Sequence, residues 1–367
     1  MKKKRIAFYC DVMIYGGHEM MSARIANAIS EYCEVAFLFS HEMFDRDLTS
    51  PVRRLPLPGR MTGTGLFNLL IRSWPELFAI RRILRSFDPD IVIVVQGEYR
   101  LCLKGLFAAR IAGKIRAVSY IPNGHPYVID RMRFAALMSR VYRAIVNLFH
   151  AFITISEEQK LLIRRFAGSR RPIHVLENQV DFPHLRRKRT LGRPIRIGII
   201  GRIQRSKGQY RAVDIAKRLC RVRNDFQFVF YGEGDDEPVL KKKIADGALG
   251  PFFDFQGWTD DKARIYAGID VVLILSELEG VPLVLLEALY LGKPVFARRL
   301  PENPIYERYL DADFIFSTDE ELIEKLINLE RFLASFKRKA DHARKIVIDR
   351  HGMNTFTRRT REVLDLL

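Results

Sequence analysis

The chain has 367 residues, 48% of them hydrophobic and 28% charged, and a formal net charge of +18. That length suits two domains, each large enough to bury a core. The charge is uneven, with 32 Lys and Arg against 16 Asp and Glu in residues 1–193, net +16, and 29 against 27 in the remainder, net +2. No apolar run suffices to cross a bilayer and the start MKKKRIAFYC lacks a signal peptide's apolar segment, so a cytoplasmic location is expected.

Residues 5–10 read as a strand, 11–17 as a loop and about 18–31 as a helix with Met20, Met21, Ile25, Ala28 and Ile29 on its apolar face, before a second strand at 34–39. Gly16 and Gly17 at that strand-to-helix turn let backbone approach a ligand closely. Residues 90–95, 115–121 and 151–155 are further apolar strands separated by helical stretches, the rhythm of a doubly wound parallel sheet. After the strand ending at Ile121, His125 sits in the loop Pro-Asn-Gly-His-Pro-Tyr, at a strand's carboxyl end where open α/β sheets bind ligands. Cys10, Cys33, Cys102 and Cys220 lack metal-ligand spacing and read as reduced core thiols.

Residues 66–87 and 131–150 combine large apolar side chains with arginines, including Arg81, Arg82, Arg85, Arg140 and Arg143. That is the character of helices at an anionic membrane surface, and equally of apolar stripes packed on a sheet beneath solvated arginines. The basic, aperiodic run 181–194 reads as a linker between a first domain at 1–180 and a second at 195–350, with 351–367 as a closing helix.

The second half restarts with a strand at 195–200 and the turn Gly201-Arg202-Ile-Gln-Arg-Ser-Lys207-Gly208, whose Arg and Lys can neutralise a diphosphate. Strands at 226–231 and 252–255 follow, the latter leading to Trp258. Residues 276–295, SELEGVPLVLLEALYLGKPV, come next, after an apolar strand at 271–275. Here a loop with Glu279 and Gly280 enters a helix whose first position is Pro282 and whose stop is Gly292. Unpaired N–H groups of Val281 to Leu283 and the helix dipole make an anion site, framed by Glu279 and Glu287, which suit hydroxyl groups.

This segment resembles the E-x7-E motif of the sucrose-synthase-like family of retaining glycosyltransferases, and the turn at 201–208 resembles that family's G-R-x(4)-K-G. Gly16-Gly17-His18-Glu19 is similar to its N-terminal GG-x-E turn, and Asn178-Gln179-Val180-Asp181 to the N-x-V-D closing its first domain. Pro282 and Gln179 stand where relatives commonly have glycine.

The resemblance implies the GT-B fold, two doubly wound Rossmann-like domains with parallel sheets facing a deep cleft, and a C-terminal helix crossing back to the first domain. It implies transfer of a hexose from a UDP or GDP sugar with retention, no cofactor and no metal. Glu279 would face the donor sugar, Glu287 the ribose, Arg202 and Lys207 the diphosphate, and His125 the sugar. Gly16, Gly17, Gly201, Trp258, Gly280, Val281, Pro282 and Leu283 would complete the donor site. The expected acceptor is a saccharide, lipid-linked if the basic helices lie on a membrane, as in lipopolysaccharide or capsule assembly at the inner face of the plasma membrane. Two alternatives stand beside this reading. One is a nucleotide-sugar epimerase of the same fold. The other is a basic nucleic-acid-binding protein, which the scattered arginines and missing surface aromatics disfavour.

Overall fold

The protein was analysed as a computed structural model, which describes residues 3–13, 15–57, 73–168, 170–180, 193–301 and 303–367. It divides into two compact units, Met1–Gln179 with Met353–Leu367, and Val180–Gly352. Except for Arg193 and Pro194, the expected linker lies outside the described residues, as do 66–72 of the first basic stretch.

Among the described residues the first unit holds seven strands: β1 (Arg5–Cys10), β2 (Glu34–Phe39), β3 (Arg53–Pro56), β4 (Ile91–Val95), β5 (Arg116–Tyr120), β6 (Ala151–Thr154) and β7 (Ile173–Val175). They pair in the order β3-β2-β1-β4-β5-β6-β7, all parallel. Central β4, Ile-Val-Ile-Val-Val, is wholly buried because helices cover both faces of a parallel sheet, so its apolar run need not alternate. The edge strand β3, Arg-Arg-Leu-Pro, has no buried residue, and so carries no apolar run that could mark it in the sequence.

The second unit repeats the plan with β8 (Ile195–Ile200), β9 (Phe226–Tyr231), β10 (Phe253–Phe255), β11 (Val271–Ile274), β12 (Val295–Arg298) and β13 (Ile315–Phe316), in the order β10-β9-β8-β11-β12-β13. Phe226 stacks on Phe252, just before β10, and Phe228 and Phe230 stack on Phe253 of β10, at centroid distances from 4.9 to 5.6 Å. In both sheets strand order reverses, between β1 and β4 and between β8 and β11, and ligands of open α/β sheets bind beyond the carboxyl ends at such points.

One helical expectation changes. The helix read near 320–336 is two, Asp319–Ile327 and Leu329–His351, broken at Asn328, whose ψ of 29° leaves the helical region. The helix Met353–Leu366 packs with Gly17–Ile29 in the first unit, where Lys4 Nζ donates to the Leu364 carbonyl at 3.0 Å and the Arg361 guanidinium lies 5.5 Å from the Tyr32 ring centroid.

Candidate functional site

The loops leaving β8 and β11 converge. Gly208 takes φ +79°, and a Cβ there would stand 2.4 Å from the Leu275 carbonyl oxygen. That close approach lets the Glu277 N–H donate to the Ser206 carbonyl at 2.9 Å. Across the junction Lys207 Nζ donates to Glu279 Oε1 at 2.5 Å, both side chains partly buried, at 31% and 14% exposed. Arg202 on the same turn is exposed, with no ion pair among the described residues. The Gly232-x-Gly234 pair supports this turn from below. A Cβ on either glycine would lie within 2.3 Å of the Gly201 or Ile203 carbonyl, and those two residues bond to Tyr231 and Glu233 at 2.9 and 3.0 Å.

The helix after β11 runs Leu283–Tyr290. Pro282 is its N-cap, with φ −63° and ψ 124°, one position before the expected first helical place. Its fixed φ suits this extended position, and its carbonyl accepts from Leu285 N at 3.1 Å. Gly292, at φ +66°, follows the helix as its left-handed stop. Leu283 and Val284 are the first helical residues, whose N–H groups a helix leaves without intrahelical acceptors. Asn303, 4% exposed, donates from Nδ2 to the carbonyls of Glu279 (2.7 Å) and Gly280 (3.0 Å), fixing the backbone between strand and helix.

Glu287 is buried in this helix and held from both sides. Lys262 Nζ donates to its Oε1 at 2.5 Å and the Tyr266 hydroxyl to its Oε2 at 2.8 Å. Burial, then the neighbouring carboxylate, pushes the Tyr266 phenol well above its ordinary range, so it remains a hydrogen-bond donor. Both donors come from the short helix Lys262–Ala267, N-capped by Asp261, whose Oδ1 accepts from Arg264 N at 2.9 Å. Glu279 and Glu287 therefore each have a lysine partner that offsets the carboxylate charge. Sequence reasoning missed Lys262, Tyr266 and Asn303. Only a tyrosine and a lysine at i, i+4 spacing before β11 could have hinted at the first two.

Trp258 is 56% exposed beyond β10, after Gly257 at φ +69°, and its N–H donates to Glu233 Oε1 at 3.3 Å. Gly16, Gly17 and His125 belong to the first unit, the other candidates to the second. The Gly16 N–H donates to Oε2 of buried Glu19 at 3.0 Å, while His18 Nε2 meets Glu19 Oε1 at 2.6 Å. The His125 N–H donates to Asn123 Oδ1 at 3.1 Å, and the adjacent Gly124 is fixed by Gln159 Oε1 and the Tyr99 hydroxyl. Among the described residues no group of three His, Cys, Asp or Glu is placed to hold a metal ion.

Two Rossmann-like parallel sheets, each with a reversal of strand order, define a protein of the GT-B class. HepE of Anabaena, in complex with UDP and glucose, superposes with a TM-score of 0.79 at 18% identity over 99% of this chain and 100% of that one. Residues 181–342 match the family Glycosyl transferases group 1, and residues 15–182 match Glycosyltransferase Family 4. The chain belongs to the group 1 glycosyltransferases, and it is a glycosyltransferase.

It is 27% identical over 278 residues to the 2-deoxystreptamine glucosyltransferase of Streptomyces kanamyceticus, spanning 68% of this chain and 70% of that one. It is 24% identical over 298 residues to the GalNAc-alpha-(1->4)-GalNAc-alpha-(1->3)-diNAcBac-PP-undecaprenol alpha-1,4-N-acetyl-D-galactosaminyltransferase of Campylobacter jejuni, spanning 78% and 77%.

Proposed function

We propose that the protein moves a hexose from a UDP or GDP sugar, with retention at the anomeric carbon and without a metal, to a lipid-linked saccharide in surface polysaccharide assembly at the inner face of the plasma membrane. The observation that carries this reading is the meeting of Lys207 and Glu279 across the β8 and β11 loops, beside a helix start that can bind phosphate. In the transfer the bond from the anomeric carbon to the diphosphate oxygen breaks. The acceptor hydroxyl adds to the same face, and its proton passes to the departing phosphate oxygen.

Charge grows on the diphosphate as that bond stretches, so Arg202, Lys207 and the N–H groups at the start of the helix Leu283–Tyr290 stabilise the transition state more than the bound donor. Glu287 accepts the ribose hydroxyls, with Lys262 and Tyr266 holding it in place, and Glu279 accepts a hydroxyl of the transferred sugar. Trp258 is exposed where a base can rest on it.

A lipid-linked acceptor is supported by the Campylobacter relative, whose name carries an undecaprenol pyrophosphate substrate. Thermal-shift screening of UDP and GDP sugars, followed by NMR of the product's anomeric centre, tests the reading. Stabilisation by a nucleotide sugar and a product of unchanged configuration are expected. Inversion, or conversion of the donor to an epimer with no acceptor present, would overturn it.

A further inference from the structure

One helix of the first unit carries arginines on a face whose other exposed side chains are apolar. The helix Ala135–Val146 buries Tyr142, Ile145 and Val146 on one side. On the other side Leu137, Arg140 and Ala144 follow at three- and four-residue spacing, with Ala136 and Arg143 beside them, all exposed. Just before the helix Phe134, at φ +60°, is 68% exposed, and Leu137 is 58% exposed. Arg133 lies over the Phe134 ring at 5.2 Å. From Arg131 to Ser156 the chain has no Asp or Glu, and among the described residues Arg133, Arg140 and Arg143 have no ion-pair partner.

Arg81 and Arg85 of the other basic helix, Trp74–Phe87, are otherwise employed. Arg81 Nε donates to the Ile111 carbonyl at 2.9 Å and Arg85 Nε to the Ala112 carbonyl at 3.1 Å, so these two satisfy the last carbonyls of the neighbouring helix Leu103–Ala112. Unpaired arginines around two large exposed apolar side chains are a different arrangement. It is stable in water through the arginines and complementary to a surface that is negative at its headgroups and apolar beneath them.

We propose that the face formed by Arg133, Phe134, Leu137, Arg140 and Arg143 docks on an anionic lipid bilayer, with Phe134 and Leu137 entering the acyl boundary and the arginines meeting lipid phosphates. The assignment stands on this surface alone and does not need the donor chemistry above. Of the two basic stretches read in the sequence, it keeps the later one, with Arg140 and Arg143, and leaves out the earlier one, whose Arg81 and Arg85 are taken up by carbonyls. Because the arginines act through a field that fades within about 10 Å at 0.1 M salt, docking weakens as salt rises.

The test is co-sedimentation with phosphatidylcholine vesicles with and without phosphatidylglycerol, using wild type, R133Q/R140Q/R143Q and F134S/L137S. Thermal unfolding and nucleoside-diphosphate binding serve as controls that each variant is folded. Binding is expected on the anionic vesicles, reversed by salt, and reduced on the order of tenfold or more by either variant. Absence of lipid preference, or variants that bind as wild type does, would overturn the proposal. So would tighter binding to single-stranded RNA that the vesicles fail to compete, which would give the face to nucleic acid. Failure of the wild type to bind UDP or GDP while it still binds the anionic vesicles would instead sink the donor assignment and leave this one standing.

Discussion

Lys262 holds a carboxylate that is 8% exposed, and its own side chain is 24% exposed, so it can orient Glu287 while remaining within reach of the same ligand. Lys262→Met is expected to weaken binding of UDP or GDP about tenfold, the worth of a hydrogen bond to a charged group. The loss should be ribose-specific. The preference for UDP over 2′-deoxy-UDP, or GDP over its counterpart, should shrink in Lys262→Met and Glu287→Gln and return in Lys262→Arg. Calorimetry on the four nucleotides checks this, and equal weakening of ribose and deoxyribose forms would reduce Lys262 to a packing role. Glu279→Gln should act differently. It takes from Lys207 the carboxylate that competes with the diphosphate, so nucleotide affinity holds or rises while turnover falls about a hundredfold, as for other lost transition-state contacts. Turnover should survive excess EDTA, with Lys207→Ala lowering kcat by roughly a hundred- to a thousandfold at saturating donor. Activity abolished by EDTA and restored by manganese would contradict that expectation.

At the scale of elements, the turn after β8 depends on close backbone approach. Gly208→Ala would place a Cβ against the Leu275 carbonyl at a left-handed φ, and Gly234→Ala one against Ile203 O at 2.1 Å. Each is expected to cost about 1–3 kcal/mol of stability, read by urea unfolding. Gly208 was legible in the sequence because a tight strand-to-helix turn restricts residue type at fixed spacing. Glu279 and Glu287 were legible by their spacing, lying on one loop and helix. Lys262 and Tyr266 were not, since their helix reaches Glu287 through tertiary packing that no local pattern records. β13 has two residues, too few for any periodicity. The helix Leu329–His351 outran its expected end because beyond Phe336 its buried positions are Ala340, Val347 and His351, a stripe too thin to read as amphipathic. The parallel strands were the plainest elements, because burial on both faces leaves uninterrupted apolar runs such as β4.

At the scale of the whole chain, the second unit is one continuous stretch, Val180–Gly352, while the first is completed by residues 353–367. Phe356, Val363 and Leu364 of the last helix are buried, and burial of such side chains contributes about 1.5–3 kcal/mol each. Truncation after Gly352 is therefore expected to destabilise the first unit selectively. Heat would then give two separate transitions, with nucleotide raising the upper one. A single unshifted transition would show the helix to be dispensable. The same connectivity sets an order of events during synthesis. Domains commonly fold in turn from the N-terminus as they emerge. Here the earlier-made unit lacks a wall of its core until every residue of the later-made one has been translated, so it waits, with the apolar side of the helix Gly17–Ile29 uncovered, for the longest stretch of any part of this protein. That interval is when a chaperone would find this nascent chain, and the helix Gly17–Ile29 is the segment it would hold.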